Sequence, residues 1–528
     1  MNDISSLHPV RLTFLCFALA AFAVYLTDPF AMPAAVRRES RTERTWARTA
    51  IELAARLPII LFVFTIFFAI SWRPIYSMAG TISFFIIFTG ISRAKFIFIR
   101  EPLVFSDIAL VVDVFKYKTI FYATRLNTLF WLASFSYVFG VSTLFMLFEP
   151  HLLPERNHFL WIAVGVCVPV LPVMLLFIPP TGEAAARVAE SFLRTLDARL
   201  NTARYGTFAS VAYHFMIWLG RRRDSIVADL THGIHHVWQE LVGHPSDKAP
   251  LIVFWQSESF LDLRNLGDTG LELPAIDWLK QRAVQWGRMT SVFEGGYTLR
   301  TEFSVLSGLE PDNIHADASY PYLRASFYSD VVWPSKLRKA GWHTHFIHPY
   351  DSTFFNRKKA MPLLGFSEMT MLEAFDYVAA RDGPYVSDAR LTEKVLDIAT
   401  RIDADQPTLL FIASMGNHGP WEAGRCEGLT DSVEIYRKLL QDADAALGKF
   451  VSAVDRFDRP VWLVFYGDHA PLLKRYADPF PDPRTDYFIA PLGSAAGNGA
   501  PSEEKEEAPW NLFKALIYHS GLFRVNQR

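Results

Sequence analysis

Long apolar stretches alternate with short polar connections over the first third of the chain. Five of them cover residues 12–26, 57–72, 76–91, 129–148 and 159–178. The last two reach the roughly 20 residues that a helix needs to cross a bilayer, and the first three need flanking residues to complete a span. The pattern predicts an N-terminal transmembrane helical bundle of about five spans within residues 1–180.

Two weaker helical patterns follow these spans. Residues 183–200 carry apolar side chains near helical spacing with arginines interleaved, which is typical of an amphipathic connecting helix and equally of an ordinary packed helix. Residues 205–219 are apolar but few, and they end at Arg221, Arg222 and Arg223. We expect this stretch to lie against lipid headgroups, within a connecting segment that covers residues 181–247.

A different pattern begins at residue 248. Three short runs rich in β-branched and aromatic residues cover 251–256, 409–414 and 461–466. Apolar runs without polar alternation are typical of strands buried on both faces of a parallel sheet. Because helix-like segments lie between them, they predict an α/β domain with a central mixed β-sheet over residues 248–528. Residues 493–509, which are small and acidic, predict a loop.

Each of the three runs leads to a residue that can bind a metal ion. The first leads to Glu258, the second to His418, and the third to Asp468 and His469. Ligands of open α/β sheets gather at the carboxyl ends of the strands, so these side chains predict one metal site. A single such residue is more often a surface or capping group, and the prediction therefore rests on the whole set.

Composition and charge narrow the class of protein. Hydrophobic residues make up 51% of the 528-residue chain, which fits a membrane portion, and the net charge of -2 argues against a nucleic-acid partner. Cys16 and Cys167 fall in predicted spans, which leaves Cys426 alone in the second domain. No disulfide can therefore form within that domain, and a cysteine nucleophile is poorly supported.

The number of spans decides which side of the membrane carries the second domain. An odd number with a cytoplasmic amino terminus puts that domain outside. The positive-inside rule disagrees, because arginines crowd the first connection: Arg37, Arg38, Arg41, Arg44, Arg48 and Arg56. A sixth crossing at 205–219 with the amino terminus outside is the alternative, and it also leaves the second domain outside.

Thr298 is the candidate nucleophile. It follows the glycine pair Gly295-Gly296, which could bring a hydroxyl close to a metal ion, and a cation activates a threonine hydroxyl by stabilising its alkoxide. The spacing alone favours a turn at the glycine pair and a helix cap at Thr298. Both interpretations stay open on this pattern.

The ordered set of motifs resembles a known family, the membrane-anchored lipoteichoic acid synthase and glucan phosphoglycerol transferase branch of the alkaline phosphatase and sulfatase superfamily. The resemblance covers nearly the whole chain. It implies a sulfatase-like, alkaline-phosphatase-type catalytic domain after the spans. The residues that carry it are, in chain order, Glu258, Thr298, His348, Arg357, His418, Asp468 and His469.

The resemblance implies roles for these residues. Glu258, Asp468 and His469 match the metal ligands, and Thr298 matches the nucleophile that also touches the metal. The family implies one divalent ion, commonly Mn²⁺, although mixed oxygen and nitrogen ligands also suit Mg²⁺ or Zn²⁺. The residues that match positions near the transferred phosphate are His348, Phe355, Arg357 and His418, of which His418 is also a catalytic candidate because imidazole exchanges a proton near neutral pH.

Two departures from the synthase pattern leave the headgroup open. Phe355 stands where those enzymes carry tryptophan, and the acidic residue of the same segment is Asp351, one place later than theirs. The sulfatase signature, a Cys or Ser followed by Pro and Arg, is absent around Thr298. Sulfate ester hydrolysis is therefore not expected.

The resemblance implies a metal-dependent phosphoglycerol transferase. It would move glycerophosphate from phosphatidylglycerol, through a phosphothreonine, to a periplasmic or cell-surface glycan. The implied location is the inner membrane, crossed several times, with the catalytic domain on the periplasmic side. A phosphoethanolamine transferase is one alternative, although that group usually carries several disulfides, and a metal-dependent phosphodiesterase is another. A non-enzymatic glycan sensor would be expected to have a damaged metal site.

Overall fold

The chain forms two compact units, residues 1–222 and 223–528. The structure is a computed structural model that describes residues 9–41, 45–116, 128–193, 195, 197–221, 248–293, 297–473, 482–496 and 502–522. The glycine pair Gly295-Gly296 and residues 194, 196 and 222–247 of the predicted connecting segment lie outside the described residues.

Helices form the first unit. They are Pro9–Thr27 (α1), Ala34–Glu39 (α2), Trp46–Ser71 (α3), Pro74–Ile99 (α4), Asp107–Lys116 (α5), Thr128–Phe148 (α6), His158–Leu176 (α7), Pro179–Phe192 (α8), Ala198–Tyr205 (α9) and Thr207–Gly220 (α10). Among the described residues, four stretches are long and apolar enough to cross a membrane, and 132–148 is a shorter fifth. The prediction of about five apolar N-terminal helices is confirmed.

The amphipathic helix predicted over 183–200 is not continuous. Helix α8 ends at Phe192, and α9 begins after Asp197, whose carboxylate accepts hydrogen bonds from the backbone N–H groups of Arg199 and Leu200. An N-cap of this kind starts a new helix, so the predicted single helix is wrong.

The stretch predicted to lie on headgroups, residues 205–219, folds as α10 inside the first unit. Its buried side includes Ala209, Tyr213 and Ile217. The hydroxyl of Tyr213 donates to the carbonyl of Ala55 in α3 at 2.6 Å. One face of α10 is therefore occupied by protein.

An eight-stranded mixed sheet forms the centre of the second unit, as predicted. Its strands are Leu251–Ser257 (β1), Gln285–Met289 (β2), His343–Ile347 (β3), Glu368–Thr370 (β4), Thr408–Ala413 (β5), Pro460–Gly467 (β6), Thr485–Gly493 (β7) and Glu503–Glu504 (β8). The spatial order is β4-β3-β5-β1-β6-β7-β2-β8. Neighbours from β4 to β6 are parallel, and β7 is antiparallel to β6 and β2.

Helices cover both faces of this sheet. They are Pro274–Arg282 (α11), Thr298–Ser307 (α12), Pro311–Ile314 (α13), Ala325–Tyr328 (α14), Trp333–Lys339 (α15), Arg357–Leu363 (α16), Ala379–Asp382 (α17), Asp388–Arg401 (α18), Ser432–Val454 (α19) and Leu512–Ser520 (α20). Trp255 of β1 packs against Phe450 of α19, and Phe254 stacks on Phe513 of α20. Because neighbouring strand residues face opposite ways, both faces of β1 are buried.

The loop predicted over 493–509 is wrong in one respect, because it contains β8, which pairs with β2. Cys16, Cys167 and Cys426 are all free.

Candidate functional site

Four parallel neighbours of the sheet bring the predicted residues to one edge. Strands β3, β5, β1 and β6 end directly before His348, the loop with His418, Glu258 and Asp468. Ser257 of β1 pairs with Gly467 of β6. Glu258 and Asp468 are therefore side by side, as their common position after the strands predicted.

Glu258, Asp468 and His469 form a compact group of possible metal ligands. One ligand atom of each lies within 4.8 Å of the others, and all three residues are buried. The Nε2 atom of His469 lies 3.4 Å from both the Glu258 Oε1 and the Asp468 Oδ2 atoms. Neither His469 Nε2 nor Asp468 Oδ2 has a hydrogen-bond partner. Buried polar atoms are normally paired, so these two fit a divalent cation bound between them.

The backbone around this group is shaped to hold it. Ser259 adopts a φ of 51°, which an L-residue adopts at a cost, and its N–H then donates to Asp468 Oδ1 at 2.7 Å. The Ser259 hydroxyl donates to Glu258 Oε1 at 2.7 Å. A Cβ atom on Gly467 would lie 2.0 Å from the carbonyl oxygen of Phe260. Only glycine therefore fits where this turn crosses β6.

The three groups shift one another's pKa values. Burial raises the pKa of Glu258, but His418 and His469 outweigh burial and lower it below the usual range. Burial and then the charge of Glu258 raise the pKa of Asp468. Burial lowers the pKa of His469, yet the two carboxylates outweigh burial and raise it to about 9. The two carboxylates therefore favour the doubly protonated imidazolium form of His469 over the neutral ring that could bind a cation.

Metal affinity is expected to rise with pH for this reason. His469 must lose its proton to bind a cation, so the apparent affinity for Mn²⁺ should rise about tenfold per pH unit between about pH 7 and its pKa of about 9. Calorimetric titration of the metal-free protein checks this slope. His345→Asn is the matched control, because this buried histidine bonds Thr370 and should leave the slope unchanged. A pH-independent affinity would contradict the ligand role of His469.

Thr298 is the first residue of α12 and is buried. Its hydroxyl donates to Glu258 Oε2 over 3.4 Å, which is a long hydrogen bond. Thr298 thus lies in the first turn of a helix, where some backbone N–H groups have no partner within the helix itself. The amino-terminal end of a helix attracts negative charge. The position suits an oxygen that becomes an alkoxide and then carries a phosphate.

His418 lies in a loop that side chains hold in place. Its Nδ1 lies 2.7 Å from the carbonyl oxygen of Gly419; a carbonyl only accepts, so Nδ1 carries a proton and Nε2 is left for another group. The hydroxyl of Tyr385 donates to the same carbonyl at 2.9 Å, and its ring packs 5.0 Å from the imidazole. Arg425 Nη2 donates to the carbonyl of Gly416 at 2.7 Å.

His348 and Arg357 lie together but are engaged by protein groups. The Nδ1 of His348 lies 2.9 Å from the carbonyl oxygen of Ala413, and its Nε2 lies 3.1 Å from Arg357 Nη1. Burial, followed by the charge of Arg357, lowers the pKa of His348 well below its usual value. The imidazole is therefore neutral, with a proton on Nδ1. Phosphate binding by His348 and Arg357 stays a prediction.

Phe355 is buried beside this pair, and its ring centre lies 5.3 Å from the Arg357 guanidinium. Phe355 and Asn356 both have positive φ values, 54° and 59°. Strained residues of this kind cluster at binding sites. They turn the chain so that α16 begins at Arg357.

The sequence pattern did not identify two residues that lie near this site. Tyr385 gave no signal, because it lies in a polar stretch. Glu302 contacts Arg357 directly and follows Thr298 by four residues. That spacing places Thr298 and Glu302 on one helix face, and it could have identified Glu302 as a residue near the site.

Comparison with known proteins fits this site and fold. The family model described as Sulfatase matches residues 250–515. The capsular polysaccharide biosynthesis protein RkpI of Rhizobium meliloti (strain 1021) is 56% identical over 518 residues, which cover 98% of this chain and 96% of that protein.

Two solved structures share a weaker likeness. The Streptococcus pyogenes phosphoglycerol transferase GacH, in complex with sn-glycerol-1-phosphate, is 22% identical with a TM-score of 0.42, over 56% of this chain and 79% of its own. The Listeria monocytogenes lipoteichoic acid synthase LtaP is 20% identical with a TM-score of 0.43, over 57% and 79%.

The match to the sulfatase family model, over the residues that form the mixed sheet and its site, identifies an enzyme of the alkaline phosphatase and sulfatase superfamily. The chain belongs to the sulfatase family. The predicted superfamily, fold class and enzymatic nature are thereby confirmed. The superfamily depends on metal ions, in agreement with the group formed by Glu258, Asp468 and His469.

Proposed function

We propose that the protein is a metal-dependent phosphoglycerol transferase. It takes glycerophosphate from phosphatidylglycerol, holds it on Thr298, and passes it to a glycan. The observation that carries the proposal is the position of the Thr298 hydroxyl, at the start of a helix and 3.4 Å from a carboxylate of the candidate metal group. A hydrolase that uses only water does not need a buried threonine there.

The reaction divides into two displacements. Before the first displacement, the Thr298 hydroxyl loses its proton to solvent. In the first, the Thr298 oxygen bonds to phosphorus, the bond from phosphorus to the diacylglycerol oxygen breaks, and His418 gives a proton from its Nε2 to the departing diacylglycerol. In the second, His418 takes a proton from the acceptor hydroxyl, the acceptor oxygen bonds to phosphorus, and the bond to the Thr298 oxygen breaks, so that Thr298 leaves as an alkoxide and the starting state is restored. A divalent ion held by Glu258, Asp468, His469 and the Thr298 oxygen would stabilise the alkoxide and the charge on the phosphate. We propose Mn²⁺ for this role.

A lipid donor fits the arrangement of the chain. We propose that residues 1–180 anchor the protein in the inner membrane and that residues 248–528 form the catalytic domain on the periplasmic side. Residues 181–247 would connect these two parts of the chain. Apolar helices of membrane-spanning length support the anchor. The name of RkpI, a capsular polysaccharide biosynthesis protein, supports a glycan as acceptor.

Release of diacylglycerol tests the donor. The full-length protein with Mn²⁺ is expected to release labelled diacylglycerol from phosphatidylglycerol about 100-fold faster than from phosphatidylethanolamine, because a site that bonds the donor headgroup discriminates by 1–3 kcal/mol or more. Thr298→Ala sets the background in each assay. Faster release from phosphatidylethanolamine would replace the proposal with a phosphoethanolamine transferase. Equal release with and without glycan, with free glycerophosphate as product, would indicate a phosphodiesterase.

A further inference from the structure

Glu302 is a fully buried carboxylate in α12. Its exposed fraction is 0%. Both oxygens face Arg357: the Arg357 Nε donates to Oε1 at 3.1 Å, and Nη2 donates to Oε2 at 3.0 Å. Arg357 itself is 1% exposed. The two side chains form a bidentate pair of the strongest kind that proteins make.

This pairing uses one edge of the guanidinium and leaves the other. A guanidinium has five N–H groups. Glu302 takes one on Nε and one on Nη2, and a third, on Nη1, meets His348 Nε2 at 3.1 Å. These three contacts leave one N–H on Nη1 and one on Nη2 without a partner among the described residues. Guanidinium N–H donors of this kind suit the oxygens of a phosphate group.

The carboxylate of Glu302 is fixed from its other side. The hydroxyl of Tyr322 donates to its Oε1, and Gln256 Nε2 donates to its Oε2 at 3.3 Å. The hydroxyl of Tyr466 donates in turn to Gln256 Oε1 at 2.6 Å. Gln256 and Tyr466 are paired in register on β1 and β6, two residues before Glu258 and Asp468. The network therefore begins at the strand ends that carry the candidate metal group.

Stability does not explain this pair. A buried ion pair often contributes no more than apolar residues of the same volume would, because both charges lose their water. Five buried side chains nevertheless fix one orientation of the guanidinium. Glu302 and His348 bond it directly, and Tyr322, Gln256 and Tyr466 form the network that holds Glu302. An arginine whose far edge must meet a phosphate at a set distance from Thr298 needs such a support, since long side chains lose rotamer freedom when they bind.

We propose that Glu302 is a positioning residue that holds Arg357 so that its free edge receives the donor phosphate beside Thr298. The inference rests on the proposed function and extends it. Glu302 contributes to phosphate binding through Arg357 alone. Arg357 in turn fixes the neutral ring of His348 against the carbonyl of Ala413.

Steady-state kinetics of full-length, Mn²⁺-loaded variants test this role. In Glu302→Gln an amide N–H₂ faces the guanidinium, so the KM for phosphatidylglycerol in mixed micelles should rise about 10- to 100-fold while kcat stays within about threefold. In the Arg357→Gln background the same change should add no more than about twofold, because residues that act as one unit are not additive. Asp317→Asn is the matched control, a buried acid that bonds Tyr328, and should leave KM unchanged.

The outcomes separate this inference from the proposed function. An unchanged KM in Glu302→Gln, or full additivity with Arg357→Gln, would overturn the positioning role even where the wild type transfers normally. A wild type without donor turnover would contradict the proposed function. Calorimetric binding of glycerol phosphate to the same variants then decides the inference: an affinity loss in Glu302→Gln that vanishes in the Arg357→Gln background supports it, and equal affinities overturn it. Melting temperatures identify any variant that has lost its fold, in which case Glu302→Asp replaces Glu302→Gln.

Discussion

Thr298→Ala is expected to lower glycerophosphate transfer by about 10⁴-fold or more, a loss typical of removing a nucleophile that acts together with other groups. Among the described residues, the hydrogen bond that the Thr298 hydroxyl donates to Glu258 is long, so its removal should cost little stability. Rates of diacylglycerol release, with the melting temperature as a check on folding, measure both effects.

Thr298→Ser is the matched control for this change. It keeps a hydroxyl at the first position of α12 and should retain measurable transfer. Near-normal turnover by Thr298→Ala would contradict the assignment of the nucleophile. An equal loss of transfer in both variants, with the fold intact, would show that the methyl group and not the hydroxyl is required. That result would also contradict the assignment.

Asp468→Asn is expected to abolish metal binding and to lower turnover by about 1,000-fold or more, since the ion supplies several kcal/mol of charge stabilisation. Wild-type protein should gain about 2.7 kcal/mol in its free energy of unfolding at a metal concentration 100 times the dissociation constant, and the variant should gain none. Without metal the variant should be at least as stable, because burial and then the charge of Glu258 raise the pKa of Asp468 and so disfavour its ionised form in the folded protein.

A second buried aspartate controls for the loss of charge. Both oxygens of Asp444 accept backbone N–H groups at the start of α11, from Ala275 and Ile276. Asp444→Asn should therefore lower the melting temperature and leave the metal response intact. Metal-dependent stabilisation of Asp468→Asn equal to that of the wild type would contradict its role as a ligand.

The edge of the sheet could be predicted because strand and ligand signals coincide there. The runs before Glu258, His418 and Asp468 are apolar on both faces, and parallel strands bring their carboxyl ends together. The register between Ser257 and Gly467 then places two of the candidate ligands next to each other. Local sequence was sufficient for this part of the site.

The support of Arg357 could not be predicted in the same way. Glu302 and Arg357 are 55 residues apart in the chain, and the sequence around either residue does not predict its contact with the other. Arg357 considered alone is a surface charge or a phosphate contact. Only the folded structure, in which Arg357 donates two hydrogen bonds to Glu302, shows that one edge of its guanidinium is already occupied.

The errors in the fold have physical causes. The break between α8 and α9 follows from the cap formed by Asp197, which an apolar periodicity does not register. Strand β8 consists of Glu503 and Glu504, so it lacks the apolar pattern of a strand and exists because it pairs with β2. Helix α3 extends well before its apolar run, because polar residues such as Glu52 and Arg56 are buried within the first unit.

The intact mass of His418→Ala protein, after incubation with Mn²⁺ and phosphatidylglycerol, tests the central claim most directly. Loss of the group that deprotonates the acceptor should let the covalent intermediate accumulate. The expected result is a mass increase of one glycerophosphate group, which is absent when Thr298 is also replaced by alanine. An unmodified mass after diacylglycerol has been released, or an adduct that persists without Thr298, would contradict a phosphothreonine mechanism.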